Sequence, residues 1–228
     1  DQITIGELVR SGNLVPPKTW VIDVGVIKDL SEIRKTGAEF DMSAVEQILN
    51  KRPINEEVVK HWKEKAEGRQ TVVFCSTVSH AEDVTEAFCS SGVDAVLITG
   101  ELETSGRQRA LEEYSQGKAR VIVNVAVLTE GWDRPPTSCV ILLRPSSAKS
   151  TMTQMIGRGL RTLDARTYPG VSKVDCVVLD FGTSSLTHRT LEQDIELDDA
   201  PVDEVMLAMT CPSCKSKIPL ASYECPIC

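Results

Sequence analysis

The sequence predicts an α/β fold, a parallel sheet flanked by helices, with a small four-cysteine unit appended. Three observations carry that expectation. Short, predominantly apolar runs recur at 71–75, 94–98, 120–125, 139–143 and 174–181. Strands of that kind are buried on both faces, which marks a parallel sheet. Segments of helical periodicity lie between them at 79–91, 105–116 and 148–160, so the chain reads as βαβ units with right-handed crossovers. The last residues hold two Cys-x-x-Cys pairs, Cys211 with Cys214 and Cys225 with Cys228.

Taken in order, the first segment to about Thr36 reads as a short helix, a Pro16-Pro17 break and a strand within Trp20–Ile27. Residues 43–50 and 55–67 read as helices, with Ser43 and Asn55 as N-caps and Glu46 placed as in a capping box. Val58, Val59 and Trp62 fall at helical spacing and face a core. Ser79 is placed to cap the next helix, and Gly92 and Gly117 stand where helix C-caps belong. After Gly182 the pattern weakens, and the acidic, aperiodic stretch 190–205 reads as a linker or a loosely docked segment. The expected organisation is a lead-in strand with accessory helices (1–68), the α/β domain (69–189), an acidic linker (190–209) and the cysteine unit (210–228). The opening Asp1-Gln2-Ile3-Thr4 is neither a signal peptide nor an initiator methionine, so a cut within a longer chain is expected.

The chain's 228 residues suffice for one α/β domain and a small appendage. No apolar run approaches the roughly 20 residues that span a bilayer, so no membrane partner is expected. A net charge of −8 argues against a uniformly basic nucleic-acid coat. Locally the balance reverses. From Arg144 to Lys173 the cations Arg144, Lys149, Arg158, Arg161, Arg166 and Lys173 face a single acid, Asp164. Cys75, Cys89, Cys139 and Cys176 lie singly in or beside apolar segments, as small hydrophobes. Reduced core thiols together with thiolate ligands point to the cytoplasm.

Ligands of an open parallel sheet bind beyond the carboxyl ends of its strands. Three such ends carry unusual residues. One strand ends in Ser76-Thr77. Another runs into Thr129-Glu130-Gly131-Trp132-Asp133-Arg134-Pro135. A third leads through Arg144-Pro145 into a helix bearing Gln154, Gly157, Arg158, Gly159 and Arg161. Gln154, Arg158 and Arg161 share one helix face, so the two guanidinium forks can converge on a phosphate. Gly157 and Gly159 each cost a helix roughly 1 kcal/mol relative to alanine, which suggests close approach of a backbone or ligand. Gly131 permits backbone geometry closed to other residues, and Asp133 offers an acceptor to a sugar hydroxyl or a metal-bound water. Solvated arginines on a surface helix and an ordinary strand-to-turn connection are the plain alternatives. The two elements occurring in order, one strand apart, favour phosphate chemistry.

The terminal pattern Cys-x-x-Cys-x10-Cys-x-x-Cys suits a closed tetrahedral Zn2+ site on Cys211, Cys214, Cys225 and Cys228, structural because no position stays open for water. Disulfides are the alternative. Lys215, Lys217 and Tyr223 between the pairs are either surface skin or a nucleic-acid contact.

Residues 69–182 resemble the second RecA-like domain of superfamily two helicases. Val72–Thr77 is similar to that family's motif IV, Leu128–Pro135 to motif V, and Gln154–Arg161 to motif VI, Q-x-x-G-R-x-x-R. The wording of Thr129–Asp133 resembles phage and bacterial DEAD/DEAH-type helicases and their RadD-like relatives. The resemblance implies an arginine finger at Arg161 on the γ-phosphate, with Arg158 beside it on the same nucleotide. It implies that Gln154 positions the nucleotide, that Gly131 and Asp133 line its cleft, and that Thr129, Ser76, Thr77 and Gly100 face the nucleic-acid backbone. ATP and Mg2+ are the implied cofactors. DNA, with RNA as second choice, and an upstream RecA-like lobe are the implied partners. No G-x-x-x-x-G-K-[ST] phosphate loop occurs in the sequence; Gly100–Arg107 is the nearest imitation, and Asp203-Glu204 lies in the acidic tail. The ATP-holding lobe is therefore expected upstream, and this chain alone is not expected to hydrolyse ATP. The rival readings are a non-catalytic zinc-containing module that binds nucleic acid or protein, and a dinucleotide-binding oxidoreductase. The latter is disfavoured because Gly157-Arg158-Gly159 lacks a third glycine and does not open a helix after the first strand.

Overall fold

The computed structural model describes residues 4–36, 39–129, 131–191, 208–210 and 217–219. The chain begins with α1 (Ile5–Arg10), β1 (Pro17–Val21), α2 (Ile27–Ser31), the short strands β2 (Lys35–Thr36) and β3 (Glu39–Phe40), α3 (Met42–Leu49) and α4 (Arg52–Ala66). Next come β4 (Thr71–Cys75), α5 (Val78–Ser90), β5 (Ala95–Ile98), α6 (Thr104–Ser115), β6 (Val121–Asn124) and β7 (Cys139–Leu143). The order closes with α7 (Lys149–Leu160), β8 (Cys176–Asp180), α8 (Ser184–His188), β9 (Ala208–Thr210) and β10 (Lys217–Pro219).

Six strands form one sheet in the order β1-β8-β7-β4-β6-β5, and every pairing in it is parallel. The alternation of side chains divides its core cleanly. Val73, Cys75, Val123, Ile141 and Leu179 face one way, against Trp62 of α4 and Phe88 of α5. Val72, Phe74, Ile122, Leu142 and Val178 face the other, against Tyr114 of α6 and Met152, Met155 and Ile156 of α7. A satellite cluster of Val26, Leu30, Val45, Leu49 and Ile54 holds the accessory helices together. The polar tips of the large aromatics are satisfied within this packing: Trp62 Nε1 donates to Thr71 Oγ1 at 2.7 Å, and the Tyr114 hydroxyl lies 2.9 Å from Thr137 Oγ1. At the amino edge of the sheet, Asp175 pairs with Lys18 (2.7 Å) and Arg69 (2.6 Å), stapling the approaches to β8, β1 and β4. Burial pushes the Asp175 carboxyl up, but its bonds and charge contacts with Lys18 and Arg69 more than reverse this, leaving it below its ordinary value.

Several local expectations need correction. The apolar run from Trp20 is not one strand: Asp23 Oδ1 accepts from Gly25 N (2.7 Å) and Val26 N (3.2 Å), and Gly25 takes φ +82°, so the chain turns there into α2. Asp41, not Ser43, caps α3, accepting from Ser43 N and Ala44 N. Lys51 precedes α4, whose Pro53 sits in the first turn, where a missing N–H costs nothing. Asn55 thus lies inside that helix, buried, donating to Asn50 Oδ1 at 3.0 Å. Thr77, one residue before α5, accepts from His80 N in place of the expected Ser79. Cys75, Cys139 and Cys176 are buried, as small hydrophobes should be, whereas Cys89 is exposed. The body extends to Leu191, which is fully buried against α7's side of the sheet. Cys211, Cys214, Cys225 and Cys228 lie outside the described residues, as does most of the acidic linker. Among the described residues no helix is long and apolar enough to cross a membrane.

Candidate functional site

The loop from β6 to β7 is shaped from its first residue. Asn124 ends β6 as a lone polar side chain after three apolar residues, and it is fully buried. Its Nδ2 donates to Val73 O at 2.8 Å, and its Oδ1 accepts from Leu128 N at 3.1 Å, closing the turn at whose centre Ala126 adopts φ +58°. An unbranched short side chain tolerates that left-handed geometry only where its surroundings impose it. Further on, Gly131 takes φ +70° with open space around it, so glycine is needed there for conformation rather than for room.

Two cations from other elements hold this loop by its carbonyls. Arg158 donates from Nε (3.0 Å) and Nη2 to the Thr129 carbonyl, and from Nη1 to that of Trp132 (2.6 Å). Lys173 donates to the carbonyls of Pro135 (2.7 Å) and Thr137 (2.6 Å). Burial pulls the Lys173 ammonium down to about 8, so its charge is held at a cost that the two carbonyls offset.

Arg161 is placed differently. It is the first residue past α7, with extended backbone, and its Nε meets Asp133 Oδ1 at 3.0 Å; both side chains are about half exposed, 48% and 53%. The pair lines an open cleft of about 440 Å3 whose other walls are Asn13, Leu14, Pro135, Gly157 and Thr162. The lead-in segment reaches this cleft because Val15 N donates to Leu160 O at 2.8 Å and Leu14 bridges Arg161.

The cleft does not lie beyond the carboxyl ends of the strands. Helix α7 runs back across the sheet, so its last residue returns to the amino edge, beside the chain that enters β1 at Pro17, opposite Cys176. Nor do Arg158 and Arg161 converge: the first is turned into the loop, the second toward the cleft. Gln154 is exposed on α7, Gly131 and Asp133 are exposed on the loop, and Thr129 contributes its carbonyl. Of the glycines flanking Arg158, Gly159 is closely approached, since a Cβ there would lie 2.4 Å from Cys176 Sγ and 2.7 Å from Val140 Cγ2. Gly157 faces open space.

At the carboxyl edge, Ser76 is buried, its Oγ 3.0 Å from Nδ1 of the fully buried His80, and Thr77 is engaged as the α5 cap. Gly100, after β5, is exposed, and a Cβ added there would meet nothing within 4 Å. Sequence reasoning missed Asn124, Asn13 and Leu14, and it counted Lys173 only as part of a basic stretch, not as a holder of the loop. Asn124 had a signal, the polar residue ending an apolar strand; the others act through contacts that no local pattern announces.

Residues 50–162 match the model of the helicase conserved C-terminal domain family. IRC3 of Saccharomyces cerevisiae, provisionally named an ATP-dependent helicase, is 30% identical over 193 residues, which cover 80% of this chain and 27% of IRC3. The irc3 protein of Schizosaccharomyces pombe, provisionally named a mitochondrial ATP-dependent helicase, is 34% identical over 200 residues, covering 87% of this chain and 31% of that protein. The chain thus spans less than a third of these relatives. Among solved structures, a fragment of a provisionally assigned HsdR subunit of a type I restriction enzyme from Vibrio vulnificus superposes with a TM-score of 0.62 at 18% identity, over 83% of this chain and 36% of that one. A DEAD box protein from Methanococcus jannaschii does so with a TM-score of 0.51 at 17% identity, over 83% and 42%. At such identities these two likenesses speak to the fold alone.

Proposed function

Residues 50–162 are a helicase conserved C-terminal domain on a RecA-like sheet, and from that premise we propose that the chain is the second lobe of an ATP-dependent helicase or translocase. The observation that carries the reading is the Arg161–Asp133 pair on the wall of an open cleft. ATP and Mg2+ are held by an upstream RecA-like lobe, which supplies the phosphate loop that this sequence lacks. When the lobes close, the γ-phosphate takes the place of Asp133 in front of Arg161. That exchange is inexpensive, because a half-exposed ion pair contributes at most about 1 kcal/mol. The guanidinium then stabilises charge in the phosphoryl-transfer transition state.

Arg158 keeps motif V in shape from beneath, so that Gly131 and Asp133 present a fixed lining to the nucleotide. Gln154, exposed one turn before Arg158, couples the helix to the nucleotide or the other lobe. Nucleic acid runs along the opposite, carboxyl edge, near Ser76, Thr77, Thr129 and Gly100. With the Ser76 and Thr77 hydroxyls engaged internally, contact there passes to backbone groups and to the open surface at Gly100. Such contacts go to phosphates and carry little sequence information. The phage and bacterial wording of Thr129–Asp133 supports DNA ahead of RNA.

Cys211, Cys214, Cys225 and Cys228 form a structural Zn2+ ribbon in this reading. The antiparallel pairing of β9 with β10, which flank the first Cys-x-x-Cys pair, supports it. Buried free thiols in the body favour a reducing compartment such as the cytoplasm.

The test is Arg161→Ala in a protein that carries both lobes. Nucleic-acid-stimulated ATP hydrolysis should fall about 10³-fold while nucleic-acid binding persists. Unchanged hydrolysis would remove the finger assignment and favour a non-catalytic binding module.

A further inference from the structure

Strand β7 delivers Arg144 and, three residues on, Ser147 to the carboxyl edge of the sheet, just before α7. One carboxylate meets both: Glu39 of β3 accepts from Arg144 Nη2 at 3.1 Å on one oxygen and from Ser147 Oγ at 2.9 Å on the other. A two-oxygen anion shared between a guanidinium and a hydroxyl is also the arrangement a phosphodiester makes with its non-bridging oxygens.

The donors are carried by a turn packed against the main sheet, and the acid stands apart from that sheet. A Cβ at Gly182 would lie 2.4 Å from the Arg144 carbonyl, so the turn is pressed against the chain leaving β8. Ser184 Oγ donates to Arg144 O at 3.4 Å, and the His188 ring meets Ser146 O at 2.7 Å. Glu39, by contrast, stands on a two-stranded ladder of its own, β2 with β3, outside the main sheet. Its side chain is 37% exposed, whereas that of Arg144 is 11% exposed. The buried Arg144 Nε has no hydrogen-bond partner, so the guanidinium holds one donor that the carboxylate leaves unused. The turn adjoins Ser76, since Cys75 pairs with Leu143. It lies at the other edge of the sheet from the Arg161 cleft.

We propose that Arg144 and Ser147 form a seat for one phosphate of a nucleic-acid backbone, and that Glu39 occupies the seat in the free protein as a competing anion. The proposal rests on the reading that this lobe binds nucleic acid. Both anions carry one negative charge, so exchange leaves the electrostatics of the seat nearly unchanged. What the exchange alters is the β2–β3 ladder, which is displaced, and the spare Nε donor, which gains an acceptor.

The experiment measures binding of a fluorescent single-stranded DNA oligonucleotide to the full 228-residue chain by anisotropy across a salt series. Glu39→Gln should tighten binding roughly two- to five-fold, the factor set by a partly exposed ion pair that no longer has to be broken first. Arg144→Gln should weaken binding and lower the log–log salt slope by about 0.7, the contribution of one phosphate on a single strand. In the Arg144→Gln background the gain from Glu39→Gln should vanish. Ser147→Ala, which removes only a hydroxyl, should weaken binding with the slope unchanged, and it serves if Arg144→Gln does not fold. The proposal is overturned if Glu39→Gln leaves affinity unaltered. It is equally overturned if the gain persists without Arg144, because long-range charge then explains it. Binding by none of the proteins at low salt would instead overturn the nucleic-acid reading on which the seat depends.

Discussion

Replacing Arg158 by alanine should destabilise the chain far more than replacing Arg161, although both arginines belong to one sequence motif. Arg158 satisfies two partly buried backbone carbonyls, at Thr129 and Trp132. Bonds from a charged donor contribute roughly 1.5–3 kcal/mol each, and water re-entering the truncated site returns part of that, so the expected loss is about 2–4 kcal/mol. For a chain of this size each kcal/mol moves the melting temperature by about 2–4 °C, giving a fall of roughly 5–15 °C. Arg161 makes its pair with Asp133 at 48% and 53% exposure, where an ion pair is worth at most about 1 kcal/mol. Its alanine variant should melt within a few degrees of the parent. Thermal unfolding followed by circular dichroism separates the cases. If the Arg158 variant melts with the parent and the Arg161 variant falls, the division of labour argued here is wrong.

Burial pulls the His80 ring from 6.5 down to about 4, against a partial upward pull from Glu46 and Asp83. Between those values the unfolded chain takes up a proton that the folded chain does not, so stability should fall as pH drops through the window, by up to about 3 kcal/mol. Urea unfolding at several pH values should show that slope flattened in His80→Asn, and an equal slope would sink the assignment. Gly182→Ala brings a Cβ onto the Arg144 backbone and should cost at least about 3 kcal/mol, whereas Gly157→Ala enters open space in α7 and should stabilise by about 1 kcal/mol. Elemental analysis of the purified chain should find one zinc per molecule, and a metal-free, folded chain would exclude the ribbon.

The sheet was legible in the sequence because its strands are apolar on both faces, and 71–75 and 139–143 coincide with β4 and β7 residue for residue. Helix starts were less legible. Ser43, Asn55 and Ser79 are all competent caps, but Asp41, Lys51 and Thr77 took the positions. Asp41 reaches two backbone amides at once, and Pro53 fixes the first turn of α4 ahead of Asn55. At the candidate site, residue types and spacing singled out Arg158, Arg161, Gly131 and Asp133, but not the pairing of Arg161 with Asp133 or the groups Arg158 bonds. The acceptors of Arg158 are backbone carbonyls, which have no sequence signature. Glu39 lies 105 residues from Arg144, a separation that only the folded chain closes.

Helix α7 comes back to the amino edge of the sheet, so the Arg161 cleft faces the carbonyl end of a helix dipole. That end carries roughly half a negative charge, which attracts cations and repels phosphate. The cradle of amides that a helix beginning offers to an anion is therefore absent from this side of the cleft. The same field favours the Arg161 guanidinium at this end of the helix and disfavours anions settling beside it. On the proposed reading, a triphosphate would be admitted only when another surface presents it, and the lobe would answer a bound nucleotide rather than capture one.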